Sequence, residues 1–313
     1  MLEGKRVAVV VPAHDEEHLV TTTLGTIPGF VDRVIVVDDG SADATADRVR
    51  GFGDSRVELV VHERNRGVGA AIVTGYKRAL EDDLDVVCVM AADNQMDPDD
   101  LEALVRPVAR GEVDYAKANR LFTGSAWNLI PRNRYLGNAV LSLLTKIASG
   151  YWHIADSQAG YTVLSRRMLQ LLDLDRIYVS YGFPNDMLVH LNVWNARVRD
   201  FPSRPIYGVG ERSGIRIRRI VPRISWLLWK GFFWRMREKY VIRDFHPLVF
   251  FYFLGFVMMT AGLVLGIFET VLRVMGNGIT PATIVLVALL LISGSQFTLF
   301  AMWFDMESNK DLR

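Results

Sequence analysis

A chain of 313 residues with 36 Lys and Arg against 35 Asp and Glu has a net charge of +1, so no global field argues for nucleic acid. Its length suits one large domain plus an additional module, and the single Cys88 excludes an internal disulfide and any multi-cysteine metal site, which fits a reduced, cytosolic setting. A positive mean hydropathy hides a division: the chain to about residue 220 has a mixed α/β character, and the last quarter is strongly apolar.

From the amino end, Arg6 to Val11 reads as a strand, because its apolar run is β-branched and too short for a secretory signal. It stops at Pro12, Ala13, His14, Asp15, Glu16 and Glu17, after which Leu19, Thr23 and Leu24 take up helical spacing. Val31 to Val37 is a second strand, broken at Asp38, Asp39, Gly40 and Ser41, and Val57 to Val61 is a third. Asn65 to Ala71 is a glycine-rich turn entering a helix through Tyr76 and Leu80. It has neither the dinucleotide nor the Walker spacing, and a plain tight turn also explains Gly67 and Gly69. Val86 to Met90 is a fourth strand, fully apolar, ending in a loop with Asp93, Asn94, Gln95 and Asp97, and Pro98 then opens a helical pattern. Asp97 fits an N-cap, whereas Asp93 and Gln95 precede it and offer oxygen ligands to a hard cation such as Mg²⁺ or Mn²⁺. Strand, polar loop and helix repeated four times predict a parallel sheet with right-handed crossovers. Asp15, Asp39, Gly67 and Asp93 should then converge at its carboxyl edge.

Beyond Tyr115 a short strand ends at Asn119 and Arg120, and a loop follows with Trp127, Pro131, Arg132 and Arg134. Leu136 to Ile147 reads as an amphipathic helix with Leu136, Val140, Leu143, Leu144 and Ile147 on one face. Asp156, Ser157, Gln158 and Gly160 precede a strand at Tyr161 to Leu164, and an Asx-type turn would account for them equally well. Asp186 stands in a first helical turn, where an acid is also favourable for the helix itself. The six histidines offer no metal-ligand pair.

From Arg204 the chain turns basic, through Arg212, Arg216, Arg218, Arg219, Arg223, Lys230, Arg235 and Lys239, interleaved with Trp226, Trp229 and Trp234. This pattern suits helices lying among lipid headgroups. Pro247 to Phe268 and Thr283 to Phe304 are each about 22 residues, enough to cross a ~30 Å hydrocarbon core. Basic residues before the first span, and Lys310 and Arg313 after the second, place both termini in the cytosol.

In this order and spacing, the segments Val11 to Glu17, Val37 to Ser41, Asn65 to Ala71 and Ala91 to Pro98 resemble family 2 glycosyltransferases. The similarity is strongest to the polyprenyl-phosphate sugar synthases, such as dolichyl-phosphate mannose or glucose synthase. The resemblance implies a GT-A-like, mostly parallel α/β domain over residues 1–215. Juxtamembrane amphipathic helices over 216–245 and a two-helix transmembrane hairpin with a short cytosolic tail over 246–313 would complete the chain. It implies metal-assisted, inverting transfer of one sugar from a UDP- or GDP-linked donor to a polyprenyl or dolichyl phosphate. Pro12, Ala13, Asp15, Glu16, Asp39 and Gly67 would hold the donor, and Asp93 and Gln95 the metal ion. Arg120 would contact the diphosphate, with Asp156, Gln158 and Asp186 close to the chemistry. Arg132, Arg212 and Arg216 would gather the acceptor phosphate, and homo-oligomerisation is left open. The family pattern departs at Ala91, which stands where the first Asp of Asp-x-Asp belongs; a methyl group ligates no cation. Either Asp93 and Gln95 suffice or residue 91 marks an inactivated variant, and the intact remainder favours the second. The alternatives are a hydroxyl acceptor on a polysaccharide or glycolipid, and a nucleotide-sugar-binding membrane protein without turnover.

Overall fold

A computed structural model describes residues 1–121, 132–204, 206, 217–276, 278 and 280–313, with the backbone alone for 132–138 and 217–220. The chain divides into two compact units, Met1–Phe232 with Asp311–Arg313, and Phe233–Lys310.

The first unit is built on seven strands: β1 (Val7–Ala13), β2 (Arg33–Asp38), β3 (Val57–Val61), β4 (Val86–Val89), β5 (Tyr115–Asn119), β6 (Thr162–Ser165) and β7 (Val198–Pro202). Their order is β3-β2-β1-β4-β6-β5-β7. The first four are parallel as expected, β6 runs antiparallel between β4 and β5, and β7 is again parallel to β5. The continuous apolar runs follow from burial on both faces. Val7, Val9 and Val11 enter one core with Leu101 and Leu104, while Ala8 and Val10 enter the other with Tyr76. Helices α1 (Val20–Thr26) and α4 (Leu101–Ala109) contribute to the first core, and α3 (Val68–Glu81) to the second. Helix α3 lies so close to β1 that a Cβ on Gly75 would come within 2.2 Å of Val10 Cγ1. The short α2 (Thr45–Arg50) joins β2 to β3. Strand order reverses between β1 and β4, so the loops leaving their carboxyl ends diverge and open a crevice.

The expected amphipathic helix is present as α5 (Arg132–Ser149), and part of its apolar stripe faces outward. Val140 and Leu143 are about half exposed, at 51% and 52%, while Leu141, Ser142, Thr145, Ala148 and Ser149 are buried. The inward face is held by polar contacts: Asn185 Nδ2 donates to Thr145 Oγ1 at 2.7 Å, and Ser142 Oγ lies 3.2 Å from Ser157 Oγ. After β6 come α6 (Arg166–Leu171) and α7 (Phe183–Val193), the latter almost wholly buried.

Helix α8 (Ile217–Arg237) leads through a π-helical turn, Glu238–Arg243, into α9 (Leu248–Val274) and α10 (Pro281–Ser308). The last two, 27 and 28 residues with mean hydropathies of 2.3 and 2.2, are long and apolar enough to cross a membrane. They meet through Gly255, Gly262 and Gly294, where side chains of the opposite helix occupy the space of a Cβ. Arg235 and Lys239, expected among headgroups, are buried within this second unit. Arg235 makes a bidentate pair with Asp305 at 2.8 and 2.9 Å, Tyr240 donates to Asp305 at 2.7 Å, and Lys239 donates to Asn309 at 2.7 Å. A guanidinium removed from water needs a carboxylate beside it, and the second apolar helix supplies one.

Candidate active site

The crevice has two walls. On the first, Pro12 and Ala13 end β1 in the core, and Asp15 (φ +55°) turns the chain outward. Its loop is laced to the one after β2: Asp15 Oδ1 accepts the Ala42 N–H at 2.8 Å, and the Glu16 N–H donates to Thr45 Oγ1 at 2.8 Å. Asp39 is buried, with Oδ1 accepting the Arg66 N–H at 2.9 Å and lying 2.7 Å from His62 Nδ1, and Oδ2 accepting the Gly67 N–H at 2.7 Å. Asp39 and Gly67 therefore bind each other, and the carboxylate organises the glycine turn. The turn is in contact with the segment before α7, since a Cβ on Gly67 would lie 2.5 Å from the Val179 carbonyl oxygen and one on Gly69 2.7 Å from Val179 C. The Gly69 and Ala70 N–H groups both donate to that carbonyl, at 2.9 and 3.3 Å. Asp186, also buried, accepts the Tyr178 N–H at 2.8 Å and lies 3.6 Å from His190 Nε2. Burial pushes the Asp186 carboxyl up and the His190 imidazole down.

The second wall is a cleft that brings Asp93, Gln95 and Arg120 together with Gly160, Tyr161 and Arg204. The Gln95 N–H donates to Asp93 Oδ1 at 3.2 Å, and Asn94 takes a left-handed φ of +56°, curling the loop. The Ala91 N–H points at Met96 Sδ, 3.3 Å away. Asp97 is an N-cap, accepting the Asp99 N–H at 3.0 Å, as its position before Pro98 suggested. Arg120 makes a bidentate pair with the buried Asp156, 2.8 Å from Nε to Oδ2 and 3.1 Å from Nη2 to Oδ1. Burial pushes the Asp156 carboxyl up, but the Arg120 charge and hydrogen bonds outweigh it and hold the group below its ordinary range. Gln158 bonds inward, its Nε2 donating to Ser157 Oγ at 2.9 Å.

Asp93, Gln95 and Arg120 thus share one cleft, Asp156 joins them through Arg120, and Asp186 is not among the residues lining it. The Arg132 side chain and residues Arg212 and Arg216 lie outside the described residues. Two charged groups beneath this wall, Lys117 and Asp200, were not singled out in the sequence. Their alternation with apolar neighbours on short strands resembles that of solvent-facing residues.

The family model for glycosyl transferase family 2 matches residues 8–172, more than half of the chain. The chain belongs to that family. It is 26% identical over 221 residues to the UDP-N-acetylglucosamine–dolichyl-phosphate N-acetylglucosaminyltransferase of Methanococcus voltae, covering 66% of this chain and 88% of the relative. It is 30% identical over 202 residues to the undecaprenyl-phosphate mannosyltransferase of Micrococcus luteus, covering 63% and 82%. A polyprenol monophosphomannose synthase of Mycolicibacterium smegmatis is 27% identical, covering 71% and 86%. Among solved structures, glucosyl-3-phosphoglycerate synthase from Mycobacterium tuberculosis in complex with UDP shares the fold at a TM-score of 0.56 and 20% identity, covering 74% of this chain and 80% of that one. The same enzyme has been solved with Mn²⁺ and UDP-glucose (TM-score 0.54, 20% identity, 74% and 79% covered).

In this family 2 chain no group of three or more His, Cys, Asp or Glu among the described residues could hold a metal by itself. Asp93 and the Gln95 amide nevertheless provide hard oxygen donors, and half-buried Glu16 stands near enough for the Asp93 charge to act on it. Burial and then that charge push the Glu16 carboxyl up to about 7. Such a donor set fits an ion that takes one or two carboxylates and completes its shell with water and substrate phosphate.

Proposed function

We propose that this protein is a membrane-anchored glycosyltransferase that moves one sugar from a UDP- or GDP-linked donor to a polyprenyl phosphate. The observation that carries the reading is the cleft in which Arg120 faces Asp93 and Gln95 at the carboxyl edge of the sheet. The curated relatives, named as dolichyl-, undecaprenyl- and polyprenyl-phosphate transferases, support the acceptor, and α9 and α10 support the anchor.

In this reading the β1 loop, from Pro12 to Glu16, holds the nucleoside, with Asp39 and Gly67 keeping the adjoining turn in shape. The donor diphosphate lies against Arg120, whose fork suits two phosphate oxygens as well as it suits Asp156. Mg²⁺ or Mn²⁺ held by Asp93 and Gln95 would supply charge screening on the leaving diphosphate. An acceptor phosphate monoester, with a second pKa near ~6, is already anionic at neutral pH. It needs positioning rather than a base, a task assigned to Arg132, Arg212 and Arg216, and Asp186 is read as the support of Tyr178. Asp156, once Arg120 turns to the diphosphate, and Gln158 stand beside the transferred sugar. Leu312, beyond the two apolar helices, packs on the core of the first unit, and its carbonyl accepts the Val198 N–H at 3.0 Å. This agrees with both termini being cytosolic.

The test is to incubate the full-length protein with UDP-N-acetylglucosamine, UDP-glucose and GDP-mannose in turn, with Mn²⁺ and undecaprenyl phosphate. Mass spectrometry should detect a glycosyl polyprenyl phosphate from at least one donor. Donor binding or hydrolysis without any lipid product would refute the reading.

A further inference from the structure

The segment that carries Asp156 and Gln158 is held along the outer strand of the sheet at two-residue intervals. Tyr151 donates through its hydroxyl to the Ala196 carbonyl at 2.7 Å, His153 Nε2 lies 2.7 Å from the Val198 carbonyl, and the Ala155 N–H donates to Asp200 Oδ2 at 2.6 Å. The far end is anchored differently. Lys117, wholly buried on β5, donates from Nζ to the Ala159 carbonyl. Lys117 and Asp200 are register partners in the parallel β5–β7 pair. One register pair of opposite charge therefore grips the residue before Asp156 and the residue after Gln158.

This arrangement is costly for stability alone. An ammonium with no exposure gives up its hydration, and apolar residues of similar size would fill the same space without that loss. Burial pushes Lys117 down to about 8 and the half-buried Asp200 up to about 6. What charged anchors add is strength and direction, because hydrogen bonds with an ionised partner are shorter and stronger than neutral ones. The anchored residues are those whose placement matters when Arg120 exchanges Asp156 for a diphosphate. Asp156 then keeps a cation below it in Lys117, whose charge already acts on it.

We propose that Lys117 and Asp200 are a positioning pair that fixes both ends of the Asp156–Gln158 segment, so that Asp156 stays in place when Arg120 turns to the donor. The pair touches neither substrate, and its part in transfer rests on the reading that this segment lies beside the transferred sugar.

The test uses the full-length protein in detergent, with Lys117→Met, Asp200→Leu and Asp200→Asn. Hydrogen exchange needs no substrate: amides of residues 156–160 should exchange at least ~10-fold faster in Lys117→Met and Asp200→Leu, with α3 unchanged. Asp200→Asn, whose amide oxygen still accepts from Ala155 but without the charge, should fall between the parent and Asp200→Leu. Transfer from UDP-N-acetylglucosamine, UDP-glucose and GDP-mannose to undecaprenyl phosphate should show kcat lowered ~10-fold or more in the first two, with donor KM within about twofold. Parent-like exchange in Lys117→Met would overturn the clamp. Faster exchange with parent-like kcat would overturn its part in transfer. Asp156→Asn is measured in parallel: if it alone turns over like the parent, the placement of the segment at the sugar fails, while the exchange data still judge the clamp.

Discussion

The two halves of the sheet follow different rules. In β3-β2-β1-β4 the inner strands are buried on both faces and almost wholly apolar: Val7 to Val11 and Ile35 to Val37 have no exposure at all. In β6-β5-β7 the central strand, Tyr115 to Asn119, is equally buried yet carries Lys117 and Asn119, with Asp114 just before it and Asp156 beside it. The first half is organised by removing apolar area from water, at ~25 cal/mol per Å² and without direction. The second keeps charges in the interior, where each depends on its partners. The first half is thus a scaffold whose backbone presents loops, and the second is held by ion pairs and charged hydrogen bonds.

Perturbing the two walls should therefore give different kinds of loss. The largest effect belongs to Arg120→Ala, which removes the guanidinium from Asp156 and, in the proposed reading, from the diphosphate. Initial rates should fall ~10²–10³-fold, the scale of losing a charge-stabilising donor, and Arg120→Lys should recover little of it. Next comes Ala91→Asp, which places a second carboxylate beside Asp93. Turnover should rise at least ~10-fold with a sharper Mn²⁺ dependence, and an unchanged metal titration would show that residue 91 lies outside the ion's reach. On the apolar half the expected loss is steric. In Gly69→Val the new side chain meets the Val179 backbone, within 2.8 Å already at Cβ, whereas Gly53→Ala meets nothing within 4 Å. Scanning calorimetry should show the first variant destabilised by ~1–3 kcal/mol, the usual penalty of overpacking, and the second unchanged.

The smallest effect is one of stability. Burial raises the Asp200 carboxyl from 3.8 to about 6, so the folded chain holds this proton more tightly than the unfolded one. Its stabilising contribution is complete below the unfolded pKa and is lost as pH rises through the folded value. Asp200→Asn should therefore unfold at a higher temperature than the parent at pH 7.5, by on the order of 2 kcal/mol, with the gap closing towards pH 4. A constant gap across that range would mean that Asp200 is ionised throughout.

The same division explains what could be read from the amino acids. β3 occupies the span its residues suggested, Val57 to Val61, and the loops after β1 and β4 flank a crevice, because alternating apolar runs and polar breaks encode both. Asp93, Gln95 and Arg120 line one cleft. Periodicity found α5 but not its inward side, which Ser142 and Thr145 take through hydroxyl bonds. Nor could it find Arg235 with Asp305, or Lys117 with Asp200, because the partner that permits burial lies 70 or 83 residues away. The hydrogen bond between Asp39 and Gly67 was hidden for a related reason, as a turn glycine advertises its φ but not the acceptor of its N–H.

In the proposed reaction the sugar leaves its nucleotide for a phosphate oxygen. The most direct measurement offers the purified full-length protein undecaprenyl phosphate and undecaprenol in competition, with each of the three donors and Mn²⁺, and weighs the two lipid products by mass spectrometry. The account predicts glycosyl phosphate alone, with Asp186→Asn within about tenfold of the parent, since an anionic acceptor needs no general base. Glycosylated undecaprenol in comparable yield, together with a loss of ~10³-fold or more in Asp186→Asn, would contradict it.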